Sequence, residues 1–418
     1  MNVAPSTLWS NRDFLKLWAA HTTETLGSLM GALSFTAVLV LEASPQQMAL
    51  LAAAGAAPGL AAGLPAGVWV DRLRRKPVLV AADIGRALAL ASIPVAYAVG
   101  VLRIEQMYAV AFTAGLLDVF FDVAHPSFVP AVVRREQLIE ANAKMSGTGS
   151  AVEIGAFGVS GWIVQFWSAM VSVVVNASTF LVSGALILLI RVREPRPEAP
   201  VAQRRAPLLR ELAEGLQFLW RSRSSGLRAL AVAHVLRGLS NGVIGALILL
   251  FGIRELGFAP GVLGMIFAVG GISSLGGAFL AARVTRRFGI GPVLVATSLF
   301  IGVAVLFIPL ARGPLLLAVA FLVASQLVGD WAWAVYDINE LSLRQAVTPD
   351  SVRGRVNSAV RWLSVSATFG GALLAGAAVS FVGMRWTLAL GAGTTLLATL
   401  LLALSPVRRV KETPQESA

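Results

Sequence analysis

The sequence predicts an all-α polytopic membrane protein, with twelve transmembrane helices in two pseudo-symmetric six-helix bundles. Three observations carry this. The 418 residues are 56% hydrophobic and only 13% charged, whereas soluble domains are roughly a quarter charged. Apolar runs of about 18 residues or more recur along the whole length, each sufficient for a ~30 Å hydrocarbon core. A constant shift of 215 positions also superposes the two halves.

Taken in order, the spans read as 14–41, 48–70, 78–101, 106–129, 138–165 and 169–190. After a polar link come 227–252, 261–282, 291–310, 315–341, 356–382 and 385–404. The start carries Asn11, Arg12, Asp13 and Lys16 before a long apolar run with no small-residue cleavage site. It therefore reads as a retained first span rather than a signal peptide. The predicted domains are an N-terminal bundle over 1–190, a cytoplasmic link over 191–226, and a C-terminal bundle with a short tail over 227–418. The link opens on Pro195-Arg196-Pro197 and reads as flexible there. Leu209, Leu212, Leu216 and Leu219 then recur at helical spacing against Arg210, Glu211 and Glu214. That pattern predicts an amphipathic helix at the membrane surface, tethering the two halves.

The loops set orientation. One side receives Arg12 and Lys16, Arg72 to Lys76, Arg134 and Arg135, the link, Arg286 and Arg287, Arg353 and Arg355, and Arg408 to Lys411. The other receives only Arg103, Arg254, Arg312 and Arg385. Excess Lys and Arg marks the cytoplasmic face, so both termini and the link are expected there, in a multi-pass protein of the cytoplasmic (inner) membrane. An even number of spans agrees.

The repeat is specific. The shift carries Pro77-Val78-Leu79-Val80 onto Pro292-Val293-Leu294-Val295, Asp122 onto Asp337, Asn142 onto Asn357, and Gly155 and Gly161 onto Gly370 and Gly376. Duplicated six-span units are how many secondary transporters are built.

Between spans 2 and 3 lies Gly67-Val68-Trp69-Val70-Asp71-Arg72-Leu73-Arg74-Arg75-Lys76. This turn resembles the signature loop of the major facilitator superfamily, departing from it at Arg74, where the family usually has Gly. The second copy has changed further, with Arg286 in the place of Asp71, and Gly289 and Gly291 in the places of Arg74 and Lys76. More narrowly, Phe120-Phe121-Asp122-Val123-Ala124, Glu140-Ala141-Asn142-Ala143, Arg344-Gln345 and Gly354-Arg355-Val356-Asn357-Ser358 resemble the drug:proton antiporter-like branch, with its macrolide-efflux proteins and enterobactin exporters. In that family spans 1, 4, 7 and 10 line a central cavity. Its antiporter mark in span 5 is altered here, since Gly155 is followed by Ala156.

Other classes are excluded on chemistry. The net charge of +12 resides in short loops, where topology accounts for it, and nucleic acid is not expected. With no cysteine there are no disulfides, thiolate metal sites or cysteine nucleophiles. No phosphate-binding loop with Gly-Lys-Ser or Gly-Lys-Thr is present, so a built-in ATPase is not expected. Neither an enzyme, a cofactor nor a metal site is predicted.

Ionisable groups at membrane depth are the informative residues, because each is costly there unless paired or wet. Glu24, Asp118, Glu153 and Asp330 are the candidates for a coupling proton, Glu24 first, on a cavity helix with His21 one turn before it. The alternative for Glu24 is a fixed ion pair with Arg237. Asp83 and Arg86, three apart, pair most simply with each other and read as structural. Asp118 and Asp122, four apart, repel one another on one helix face, and His125 follows as an interface histidine.

Candidate cavity liners are Trp18, His21, Phe120, Arg237, Asn241, Trp331 and Trp333, each of which has the plainer alternative of facing lipid or a neighbouring helix. The resemblance implies a conformational latch of Gly67, Asp71, Arg72, Arg75 and Asp122, with Asp337 as the repeat's counterpart; a static loop anchor is the plainer alternative. The whole reads as an exporter of hydrophobic or amphipathic, drug-like molecules in exchange for protons. Its partners are a small-molecule substrate, protons and the bilayer, and one chain supplies both halves, so a monomer suffices. The alternatives are export of a specific metabolite or siderophore using Arg237, an uncoupled facilitator, and a receptor or scaffold that transports nothing.

Overall fold

A computed structural model describes residues 8–192, 194, 208–221 and 225–411, and no strand occurs among them. Thirteen α-helices follow in order: α1 Arg12–Leu29, α2 Ala32–Leu39, α3 Pro45–Arg72, α4 Arg75–Ala98, α5 Ile104–Val132, α6 Leu138–Phe166 and α7 Ala169–Leu188. Then come α8 Leu208–Arg221, α9 Ser225–Arg254, α10 Pro260–Phe288, α11 Ile290–Leu310, α12 Leu315–Val347 and α13 Asp350–Leu404. Pro195-Arg196-Pro197 and the side chains of Asp71 and Leu209 lie outside what is described.

The helices account for twelve spans. Eight are long and apolar enough to cross a membrane, namely α4, α5, α7 and α9 to α13. At 55 residues α13 is too long for one crossing, since it would run ~80 Å. It is broken at Gly383, whose φ of 77° places it where glycine is favoured, and so it supplies spans 11 and 12. Span 1 is likewise two helices, α1 and α2, divided at Gly31 with φ of 62°. Helices α3 and α6 complete the set. Large apolar side chains such as Leu88, Phe279, Leu316 and Phe381 stay exposed, the surface a bilayer would cover.

The chain divides into two compact units. One comprises Met1–Glu42 with Ala57–Arg204, and the other Ala43–Ala56 with Arg205–Ala418. Helix α3 therefore begins in the second and ends in the first.

In the first unit α1 packs on α6 and α7, and α4 on α5 and α7. Small residues set the closeness of these helices. A Cβ on Gly27 of α1 would collide with Thr179 of α7, and one on Gly184 of α7 would lie 3.2 Å from Cβ of Asp83 on α4. At the charged end, Asn11 caps α1 by accepting from the N–H groups of Asp13 and Phe14. Its amide donates to the carbonyl of Val132 at 3.0 Å, tying α1 to the end of α5. Lys76 donates to the carbonyls of Leu188 and Ile190, a base on the free carbonyls of a helix C-terminus.

In the second unit α9 packs along α13, and α12 against α10 and α11. Gly238 and Gly242 of α9, four apart, press onto the backbone of α13 at Ser364 and Thr368, and Gly371 returns the contact onto Leu239. This is the small-residue packing that brings membrane helices into contact. Helix α8 docks on protein along one face. Its Gly215 abuts the carbonyl of Arg355, Glu214 pairs with Arg355 at 3.1 Å, and Leu219 is buried. The turn before α11 is clamped by the tail: the N–H of Ile290 donates to Lys411 O, and that of Gly291 to Val410 O at 2.7 Å. A Cβ at Gly291 would collide with Val407 O, which accounts for the glycine where the first copy has Lys76.

Candidate functional site

Arg86 is the centre of the first unit. It lies about halfway along α4, is 1% exposed, and is gripped between the faces of Phe121 and Phe180, whose centroids are 4.7 and 4.3 Å from its guanidinium. Three carboxylates converge on it from three helices. Nη1 donates to Glu24 Oε1 of α1 at 2.8 Å and to Asp118 Oδ1 of α5 at 2.7 Å, while Nη2 donates to Asp83 Oδ1 at 2.7 Å. Glu24 also accepts from Ser28 Oγ at 2.8 Å. Phe180 and the gap at Gly184 come from α7, so four helices build the cluster.

Charge is unbalanced here. Fully ionised, three carboxylates against one guanidinium would leave two uncompensated negative charges, a costly state at this depth. Glu24 and Asp83 are buried, whereas the Asp118 side chain is 45% exposed. Asp118 is therefore the most exposed of the three acids.

Several sequence expectations meet here. The expected pair of Asp83 and Arg86 forms, but Arg86 also engages Glu24 and Asp118, where the sequence gives it a structural role alone. Glu24 finds its base in Arg86, within its own unit, where the sequence offers Arg237. The missed signal was a charge count: Arg86 is the one base between three acids at similar depth. His21 stacks on His125, with centroids 4.6 Å apart at 17°.

Other candidates lie elsewhere. Trp18 donates from its indole N–H to Thr148 at 2.9 Å. Phe120 stacks on Trp69 at 5.9 Å, and Trp69, 52% exposed, is an aromatic that sequence reasoning passed over inside the signature turn. Glu153 of α6 is exposed, outside the Arg86 cluster. In the signature turn Arg72 is exposed, and Arg75 donates to Glu194 at 3.1 Å. Asp122 is exposed one turn beyond Asp118, and Gly67 has open space where a Cβ would stand.

In the second unit Arg237 of α9 is buried, its guanidinium 4.2 Å from the ring centroid of Trp333 and 3.7 Å from that of Tyr336. Tyr336 is a second aromatic that the sequence reading missed. Trp331 meets Phe300 edge-on and packs into the apolar core. Asp330 accepts from Gln326 at 3.1 Å. Asn241 and Asp337 are exposed. Near the charged end, Glu340 pairs with Arg344 at 3.1 Å and Arg344 donates to Asn357 at 3.1 Å.

Comparison with known proteins places this architecture. The chain matches the family model described as Major Facilitator Superfamily over residues 18–361 and 230–418. It is 25% identical over 381 residues to the MFS-type transporter YfiS of Bacillus subtilis (strain 168), covering 90% of this chain and 88% of that one. It is 27% identical over 384 residues to the multidrug efflux pump Tap of Mycolicibacterium fortuitum, covering 89% and 90%. Among solved structures the fold resembles a bacterial homologue of the iron transporter ferroportin, with a TM-score of 0.74, 18% identity, and 94% and 98% of the two chains covered. It also resembles a bacterial homologue of the lysosomal transporter Spinster, with a TM-score of 0.72, 15% identity, and 99% and 100% covered.

Proposed function

The chain belongs to the major facilitator superfamily, and from that premise we propose that it exports hydrophobic or amphipathic small molecules in exchange for protons. The observation that carries this is the Arg86 cluster, a mid-depth group with more acids than bases and one partly exposed acid. Similarity to an efflux pump over nine-tenths of the chain supports the outward direction.

Protons bind at Asp118 and Glu24, whose charges are coupled through their common partner Arg86, which keeps its own protons. A protonated Asp118 releases its share of Arg86, and this change of pairing couples α5 to α1 and α4. Glu153 and Asp330 are secondary stations. Trp18, Phe120, Asn241, Trp331 and Trp333 are liners for apolar substrates, Trp333 foremost. The latch of Asp71, Arg72, Arg75 and Asp122 requires Arg75 to leave Glu194. In this reading the protein works as a monomer in the inner membrane, with both termini cytoplasmic. A second reading, export of a specific anionic metabolite or siderophore, draws on the buried positive charge of Arg237.

The test uses inside-out vesicles with an acid interior and a pH-sensitive dye. Lipophilic cations, macrolides and siderophores are added in turn to wild type and Glu24→Gln. Substrate-triggered proton release is expected in the wild type and at least ~10-fold slower in the variant, a barrier change of about 1.4 kcal/mol. No release with any compound from folded protein would replace the antiporter with an uncoupled facilitator.

A further inference from the structure

His21 and His125 form a stacked pair that the exchange described above does not use. His21 lies on α1 three residues before Glu24, one turn away on the same face. His125 lies on α5 seven residues beyond Asp118, two turns along one face. Both displacements run toward the charged end, where Asn11 of α1 meets Val132 of α5. The aromatic contacts form a column: Phe121 carries Arg86 at 4.7 Å and stacks on His125 at 5.6 Å and 10°, and His125 stacks on His21. His125 is 9% exposed. Nδ1 of His21 and Nε2 of His125 are buried without a hydrogen-bond partner, one free nitrogen on each ring.

We propose that this pair is a second proton station, taking the proton given up by Glu24 and passing it toward the charged end of the bundle. The proposal rests on the antiport reading above. In the step, the O–H bond of the Glu24 carboxyl breaks as an N–H bond forms at His21 Nδ1, directly or through a water. A carboxylate and an imidazolium remain, and loss of the proton to water restores the neutral ring.

The surroundings favour one such cation. Glu24 lies on the same helix, Asp118 and Asp122 lie on α5, and α4 brings Asp83 with Arg86. Helix α6, packed on α1, carries Glu140, Lys144 and Glu153, and neither α2 nor α7 carries a charged residue. Burial of the rings opposes an imidazolium, and these acids offset part of that cost for one ring, while a second charge in the adjoining ring would be repelled. The pair thus holds one proton at a time.

The decisive measurement is 15N-histidine NMR of the full chain in nanodiscs, with ring signals assigned through His21→Gln. The expected result is a His21 ring that protonates as pH falls while the His125 ring stays neutral, and that takes up its proton less readily in Glu24→Gln, which lacks the neighbouring carboxylate. Rings that stay neutral throughout, or a midpoint indifferent to Glu24, would overturn the proposal. This readout needs no transport and stands even if antiport itself is disproved. A second arm uses proteoliposomes with His21→Gln and with His125→Phe, which keeps the stacked ring. Substrate-triggered proton release at least ~10-fold slower, with substrate counterflow within twofold of wild type, supports the station. Release at the wild-type rate in both variants would also refute it.

Discussion

At the constant shift of the repeat, Asp83, Arg86 and Asp118 of the first half correspond to Ser298, Ile301 and Trp333 of the second. The first three form an ionic cluster. Of the second three, Ser298 shares a hydrogen bond with Thr399 at 2.8 Å, Ile301 joins an apolar core, and Trp333 lies beneath Arg237. The same helical frame thus carries opposite contents, excess acid in one half and a base on aromatic rings in the other. Duplication preserved the positions and left the chemistry free to diverge. In the function proposed above, the first half would hold the proton site and the second would meet the apolar parts of a substrate.

The sharpest way to break this comparison is Arg86→Met. Three carboxylates would lose their only guanidinium, and removing one partner of a buried ion cluster costs ~3–5 kcal/mol. Thermal unfolding in detergent should drop strongly, and adding Glu24→Gln and Asp83→Asn should restore much of the loss. In the second half, Trp333→Ala should cost less, ~1–2 kcal/mol, because Tyr336 still covers Arg237. Its unfolding temperature should fall by a few degrees, and apparent substrate affinity should weaken without any change in the pH profile of transport. A shifted profile would place proton handling in both halves.

The smallest effect lies at the charged end. Burial pushes the Asp13 carboxyl up, but the hydrogen bond and charge of Lys16 and the N–H of Arg191 outweigh it and hold the group below its usual range. Its contribution is present above the unfolded carboxylate pKa of about 3.9 and is lost as pH falls through the lower folded value. Asp13→Asn should therefore lower the unfolding temperature slightly at pH 7 and not at pH 2.5, by calorimetry. An equal change at both would make Asp13 a packing residue.

Much of the fold was legible because length, apolarity and loop charge are one-dimensional properties. The division of span 1 at Gly31 was not, since one glycine among 40 carries no local mark. Helix α8 showed its period, but its partner depends on Gly215 meeting Arg355, a contact between distant parts of the chain. The site behaved likewise. Depth alone brought out Glu24, Asp83, Arg86 and Asp118 together with Asp122, Glu153, Arg237, Asp330, Asp337 and Glu340, without separating them. Which acid Arg86 reaches depends on how α1, α4, α5 and α7 are rotated, and Gly27 and Gly184 set that closeness without declaring it in sequence. Spacing along one helix found the pair of Asp83 and Arg86, and nothing along one helix reveals the other two.

The clamp of the tail on Ile290 and Gly291 bears on how the chain is made. The turn before α11 leaves the ribosome about 120 residues ahead of Lys411, the residue that closes it. At ~5–20 residues per second that is a wait of roughly 6 to 24 seconds. Throughout it the N–H groups of Ile290 and Gly291 lack their final acceptors. Lys76 waits almost as long for its acceptors at Leu188 and Ile190, which lie 112 and 114 residues further along the chain. The clamp of the second bundle closes last because its acceptors are made last, and a truncation before Val407 would leave the turn before α11 without it.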